Sequence, residues 1–172
     1  MTPLPAPLGG DELIAWRLDR QAYARTWDSG EGAYQVGGRW NSAGVRAVYC
    51  AIDPSTAILE VGVHKGFPLL DTTPHVLTQA KVVDLTSVRV VLPEDVPNPN
   101  WLYPGQPSAG QQGFGDGLLA DHQFVVIPSV VSRRSWNLLF VAEKAAGAYV
   151  MGSQERFALD PRLHPPAVKQ SL

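Results

Sequence analysis

Five side chains in this chain have the type and setting to do chemistry. Arg39 stands in Gly37-Gly38-Arg39-Trp40-Asn41. The two glycines allow a tight turn and a close backbone approach. The guanidinium that follows is a rigid fork suited to phosphate or carboxylate. The same five residues also suit a surface turn with Trp40 packed on the core and Arg39 in water. Glu60 is a carboxylate between Leu59 and Val61, with Ala57 and His64 as helical neighbours. Carboxylates in such surroundings are rare unless paired. Glu60 is therefore either half of a rim salt bridge or a working acid held on a rigid element. Tyr49 lies in an apolar run and offers a ring with a polar tip. Ser129 follows Pro128 at the end of an apolar stretch, as a turn former or as a hydroxyl placed at a strand end. Arg17, beside Trp16, points into a cleft or into water.

The familiar constellations are missing. There is no GxSxG elbow, P-loop or HExxH. His64, His75, His122 and His164 have no metal-ligand spacing, and no metal site is expected. No pair of carboxylates of the glycosidase kind stands out.

The elements that must position these groups read as follows. Leu13 to Leu18 alternates as a strand, with Trp16 and Arg17 on opposite faces. Asp28 to Gly38 holds four glycines and reads as a loop. Arg46 to Ala51 is a strand with Tyr49 facing away from Val48 and Cys50. Asp53-Pro54-Ser55-Thr56 is a helix start, with Asp as N-cap and Pro at the first position. That helix is apolar nearly all round, and Gly66 and Pro68 end it. Strands are expected at 76–85 and 88–92, and a long loop at 93–112, where Trp101, Tyr103 and Phe114 form a lid or anchor the loop. A short helix over 116–123, strands over 124–127 and 136–141, a helix-prone 143–148 and a last strand over 157–160 complete the chain. No internal repeat or linker is visible, so one domain is expected.

Composition narrows the function classes. With 172 residues the chain can bury a core, and its net charge of −2 gives no basic footprint for nucleic acid. Charged residues are only 17%, below the usual ~25%, which fits a surface partly covered by a partner. Cys50 is the single cysteine, so no intramolecular disulfide forms, in keeping with a reducing cytoplasm. No signal peptide is evident, and no run nears the roughly 18 apolar residues that span a bilayer.

Taken together and in order, these pieces resemble RES-domain toxins of RES–Xre toxin–antitoxin systems. The resemblance runs through Trp16-Arg17, Gly37-Gly38-Arg39-Trp40-Asn41, Val48-Tyr49 and Ala57-Ile58-Leu59-Glu60. It continues with Pro128-Ser129-Val130-Val131, Asn137-Leu138-Leu139 and Leu159-Asp160-Pro161-Arg162-Leu163. The family's Arg, Glu and Ser fall on Arg39, Glu60 and Ser129. One departure is that Val141-Ala142-Glu143-Lys144 stands where the family has an Asn-Pro-x-His run.

The resemblance implies an α+β domain over 11–165, between a poorly ordered 1–10 and a tail at 166–172. Its fold would be ADP-ribosyltransferase-like (diphtheria-toxin-like), a mostly antiparallel split sheet flanked by helices. NAD+ would be the substrate, with no other cofactor. Glu60 would stabilise positive charge on the ribose, Arg39 would hold the pyrophosphate, and Tyr49 would stack on the nicotinamide. Ser129 would hydrogen-bond nicotinamide or ribose, and Arg17 would be a second phosphate ligand. Water, phosphate or a protein side chain as acceptor gives a glycohydrolase, a phosphorylase or an ADP-ribosyltransferase. An Xre-like antitoxin would cover the site in the cytoplasm, within a homodimer or a toxin–antitoxin hetero-oligomer, without direct contact to nucleic acid or membrane. A non-catalytic module that binds a nucleotide or a partner is the alternative from another class. There Glu60 would be a structural partner of Arg39 or Arg17.

Overall fold

The computed structural model describes residues 12–160 and 162. The expected tails at 1–10 and 166–172, and Pro161 and Leu163, lie outside the described residues. A seven-stranded sheet runs in the order β4-β5-β6-β2-β1-β3-β7. Its strands are β1 (Leu13–Arg20), β2 (Ala47–Ala51), β3 (His75–Val82), β4 (Val88–Val90), β5 (Phe124–Pro128), β6 (Trp136–Val141) and β7 (Tyr149–Phe157). All neighbours are antiparallel except β4 and β5. The sheet nearly divides between β1 and β2, which share the single pair Trp16–Ala51. This is the mostly antiparallel, split α+β sheet expected.

Helix α2 (Pro54–Lys65) begins as its sequence dictates. The Asp53 carboxylate accepts from the Thr56 backbone N–H at 2.8 Å and from the Thr56 hydroxyl at 2.7 Å. Ser135 Oγ adds a third bond at 2.6 Å, which ties the helix start to the segment before β6. Burial works to raise the Asp53 carboxyl, but the bonds from Ser135 and Thr56 prevail and hold it below its ordinary value. The helix is not buried all round: Val63, His64 and Lys65 are exposed. Pro68 does not end it either. Gly66 does, and Pro68 sits in the first turn of α3 (Phe67–Thr72).

Elsewhere the Gly-rich segments are more regular than expected. Residues 31–36 form helix α1 (Glu31–Val36), bounded by Gly30 (φ 62°) and Gly37 (φ 74°), conformations that only glycine adopts freely. The 93–112 stretch holds two short 3₁₀ turns, Pro93–Asp95 and Pro99–Leu102. Helix α4 (Ala109–Asp121) begins seven residues before the expected start at 116, because Ser108 caps it by accepting from Gln111 N–H. Of the glycines that made this run look like a loop, Gly115 serves packing. A Cβ on Gly115 would lie 2.0 Å from the Trp40 carbonyl oxygen. Residues 142–148 form turns rather than a helix, with Gly147 at φ 79°. The last strand is β7, earlier and longer than the expected 157–160.

Helix α4 and β2 together fix the Gly37–Asn41 turn. Gln112 Nε2 donates to the Gly38 carbonyl at 2.9 Å, and Asp116 accepts from Ser42 N–H at 3.0 Å. From β2, Tyr49 Oη accepts from Trp40 N–H at 3.0 Å and donates to Asn41 Oδ1 at 2.7 Å. Asn41 Nδ2 donates to the carbonyls of Ala33, Ser42 and Val45. Trp40 and Asn41 are fully buried.

Two outcomes are expected. Asp53→Ala should cost about 1 kcal/mol through loss of the cap, read as a lower urea midpoint at pH 7. Asp53→Asn keeps a capping oxygen but cannot ionise. A carboxyl held low in the folded state stabilises above its unfolded value of about 3.9 and loses that contribution as pH falls through the folded value. The gap between wild type and Asp53→Asn should therefore shrink between pH 7 and pH 3. Tyr49→Phe removes the partner of two buried groups and should cost about 1–3 kcal/mol for each, measured by equilibrium unfolding.

Candidate active site

Three elements meet at the Glu60 carboxylate. Helix α2 presents it. Ser129, one residue beyond β5, donates its hydroxyl to Glu60 Oε1 at 2.9 Å. Asn137, the second residue of β6, donates Nδ2 to the same oxygen at 2.7 Å. The Ser129 hydroxyl is itself oriented, since its oxygen accepts from Ser132 N–H at 3.1 Å. Both donors are neutral, so they hold the charge without cancelling it. Glu60 Oε2 accepts no hydrogen bond from the described residues.

Asn137 and Ser129 are held by the sheet. Register pairs Asn137 with Ile127 on one side and Ala51 on the other. Ser129 N–H donates to the Ser135 carbonyl at 3.0 Å, extending the β5–β6 ladder by one step. Asn137 is 7% exposed, and its Oδ1 is buried with no partner among the described residues.

Arg39, on the Gly37–Asn41 turn, lies near enough for the charge of Glu60 to act on it. Burial lowers its guanidinium from the ordinary value, and the charge of Glu60 opposes that shift. It makes no ion pair among the described residues; Nη2 donates to the Gly105 carbonyl at 2.9 Å. Tyr49 completes the group. Burial pushes its phenol well above the ordinary value, so the hydroxyl keeps the proton it gives to Asn41. With both hydrogen bonds of the hydroxyl committed to the turn, Tyr49 has its half-buried ring left to offer.

Arg17 does not reach the Glu60 carboxylate and touches this group only through the Tyr49 backbone. Its Nε and Nη2 bind Asp19 at 2.7 and 3.0 Å, and Nη1 donates to the Tyr49 carbonyl at 2.8 Å. Strand alternation places it with Leu13 and Ala15, on the face that packs Cys50 and Trp27. It lowers the Cys50 thiol only slightly against burial, which pushes that thiol up to about 12.

The 93–108 segment borders the site. Trp101 and Phe114 anchor it, with ring centroids 6.0 Å apart and Phe114 against Trp40 at 6.3 Å. Tyr103 is exposed at the rim and lies 4.8 Å from the Arg133 guanidinium, on the loop that carries Ser129. A cavity of about 450 Å³ opens beside the first turn of α2, between Asp53, Thr56, Leu59, Ser132, Arg134 and Ser135. Where the family has its Asn-Pro-x-His run, Lys144 instead donates to the Leu119 carbonyl at 2.8 Å and to that of Ala120, near the end of α4. No group of three or more His, Cys, Asp or Glu among the described residues is placed to hold a metal ion. No helix among them is long and apolar enough to cross a membrane.

Asn137 went unassigned in the sequence, although its signal matches that of Glu60: one polar side chain in an otherwise apolar run, Trp136-Asn137-Leu138-Leu139-Phe140. Gln112 and Asp116 were obscured by the glycines around them.

A curated "Toxin Res" of Pseudomonas putida is 32% identical over 163 residues, covering 88% of this chain and 99% of that protein. A "Prs ADP-ribosylating toxin" of Sphingobium sp. is 31% identical over 159 residues, covering 86% and 94%. Among solved structures, one described as the M. tuberculosis MbcT–MbcA toxin–antitoxin complex superposes with a TM-score of 0.71 at 21% identity. It covers 86% of this chain and 85% of the matched one. That likeness shows a shared fold, the ADP-ribosyltransferase-like one expected. The RES domain model matches residues 14–160, nearly the whole described span, and the chain belongs to the RES domain family.

Proposed function

We propose that this protein is a toxin that consumes NAD+ by cleaving the bond between nicotinamide and ribose. The observation that carries this reading is the Glu60 carboxylate, fixed through Oε1 by two neutral donors, with Oε2 free of hydrogen bonds from the described residues and its charge acting on Arg39. Breaking that bond develops positive charge on the ribose. A preorganised negative charge stabilises it where it forms, and the open Oε2 can also accept a ribose hydroxyl. Nicotinamide leaves readily, so one carboxylate suffices without a general acid, and no cofactor is needed beyond NAD+ as substrate.

The other residues take supporting roles. Arg39 binds the pyrophosphate by charge-assisted hydrogen bonds, exchanging the Gly105 carbonyl for phosphate oxygen. The Tyr49 ring stacks on the nicotinamide. Ser129 acts mainly through Glu60, since its proton already goes there. Arg17 acts from behind β2, by holding the Tyr49 carbonyl.

Water or phosphate is the acceptor in this reading, giving a glycohydrolase or a phosphorylase in the cytoplasm. A protein acceptor is the second reading, favoured by the ADP-ribosylating relative. An Xre-like antitoxin neutralises the toxin by covering the site. The toxin–antitoxin neighbour supports such a partner, and exposed Tyr103 at the rim offers it an aromatic contact.

Purified protein should release nicotinamide from NAD+. Glu60→Gln keeps an oxygen for Ser129 and Asn137 but removes the charge, and should lower kcat by about 10²–10³. Full activity in this variant, with the fold intact, would refute the assignment. A time course with and without phosphate, and labelled NAD+ in cell lysate, separates the acceptors: only a transferase leaves label on protein.

A further inference from the structure

Asn137 has no role assigned by the resemblance, yet it makes the shortest contact to the acid. We infer that Asn137 is a positioning residue for Glu60: it supplies the hydrogen-bond donor that fixes Oε1 and turns Oε2 toward the substrate. The inference rests on the NAD+-cleaving reading and specifies which oxygen does the work.

Three observations carry it. First, the amide is oriented for the acid at its own expense. Nδ2 lies 2.7 Å from Glu60 Oε1, while Oδ1 is buried without a donor among the described residues. A buried acceptor left unpaired is unfavourable, and such exceptions call for an explanation. Turning the amide over would set a carbonyl oxygen against a carboxylate oxygen, so the acid dictates the orientation. Second, the position is rigid. Asn137 is in register with a neighbouring strand on each side, so its amide cannot follow a carboxylate that drifts. Third, the two donors converge on one oxygen from two chain segments, Ser129 after β5 and Asn137 in β6. A carboxylate held at one oxygen by two donors has little rotational freedom, and its other oxygen points in a defined direction.

The groups around the acid allow a clean test. Its carboxylate acts on Arg39 from the Gly37–Asn41 turn and on Tyr49 from β2. The segments after β5 and in β6 contribute neutral Ser129 and Asn137 to its hydrogen bonds. His64, one turn along α2, is exposed and common to every variant compared.

The experiment measures nicotinamide release from NAD+ by wild type, Asn137→Leu and Asn137→Asp from pH 5 to pH 9. Asn137→Leu should lose about 10- to 100-fold in kcat at every pH, with KM within about threefold, as fits a residue that does not touch substrate. Asn137→Asp can donate only while protonated. Two carboxyls in contact share a proton, which raises one of them above the ordinary carboxylate range. Its activity relative to wild type should therefore be highest at acid pH and fall as pH rises, through kcat. A ratio that is flat with pH, or a loss carried by KM alone, overturns the inference. If Asn137→Asp does not fold, the kcat-against-KM split of Asn137→Leu still decides. Absence of nicotinamide release by wild type would instead refute the NAD+ reading.

Discussion

One carboxylate oxygen receives two neutral hydrogen bonds, and the geometry of the site depends on keeping that contact. An acid in a partly buried place can be held by a cation or by dipoles. A close cation would satisfy the charge and quench it. Ser129 and Asn137 satisfy it and leave the charge in place. Arg39 is near enough to feel Glu60, yet its hydrogen bond goes to the Gly105 carbonyl. The site thus holds a negative group and a positive group without an ion pair between them. A ligand carrying both signs can engage each in turn, and NAD+ at the moment of bond breaking is such a ligand.

That separation requires the Gly37–Asn41 turn to sit still. A glycine-rich turn does not do so unaided, because its backbone has too many conformations. Here it is fixed from below by Tyr49 and from the side by Gln112 and Asp116. The approach of α4 is close because Gly115 has no side chain to collide with the Trp40 carbonyl. Buried polar networks of this kind are rigid when fully bonded and costly when not. The burial of Asn41, with its amide bonded at both ends, shows which case this is.

Residue patterning made part of this legible. The cap Asp53-Pro54, the alternation around Trp16 and the apolar 124–127 run each follow from local chemistry, and the fold keeps them. Glu60 was visible as a charge out of place in its helix. What escaped was decided by tertiary contact. The close packing of α4 depends on Gly115 meeting Trp40, which no local propensity records. Strand β7 exposes most of its residues and pairs only with β3, so it lacks the apolar run that marks β5. Asn137 was legible in principle, by the same anomaly as Glu60, but its meaning depends on a helix 77 residues away in sequence.

The near-division of the sheet leaves the backbone at Tyr49 in need of a partner. β1 and β2 share one pair and then part, so backbone groups of β2 lose their ladder partners. A buried carbonyl left in that state would be unfavourable. Arg17 supplies the missing donor at the Tyr49 carbonyl, while Asp19 holds its other nitrogens. A guanidinium can do this where a neighbouring strand cannot, because it reaches across the gap without closing it. Had the ladder continued, β1 would have lain along β2 at Tyr49. At Tyr49 a side chain thus stands in for a strand, and Arg17 does so from the face opposite to Glu60.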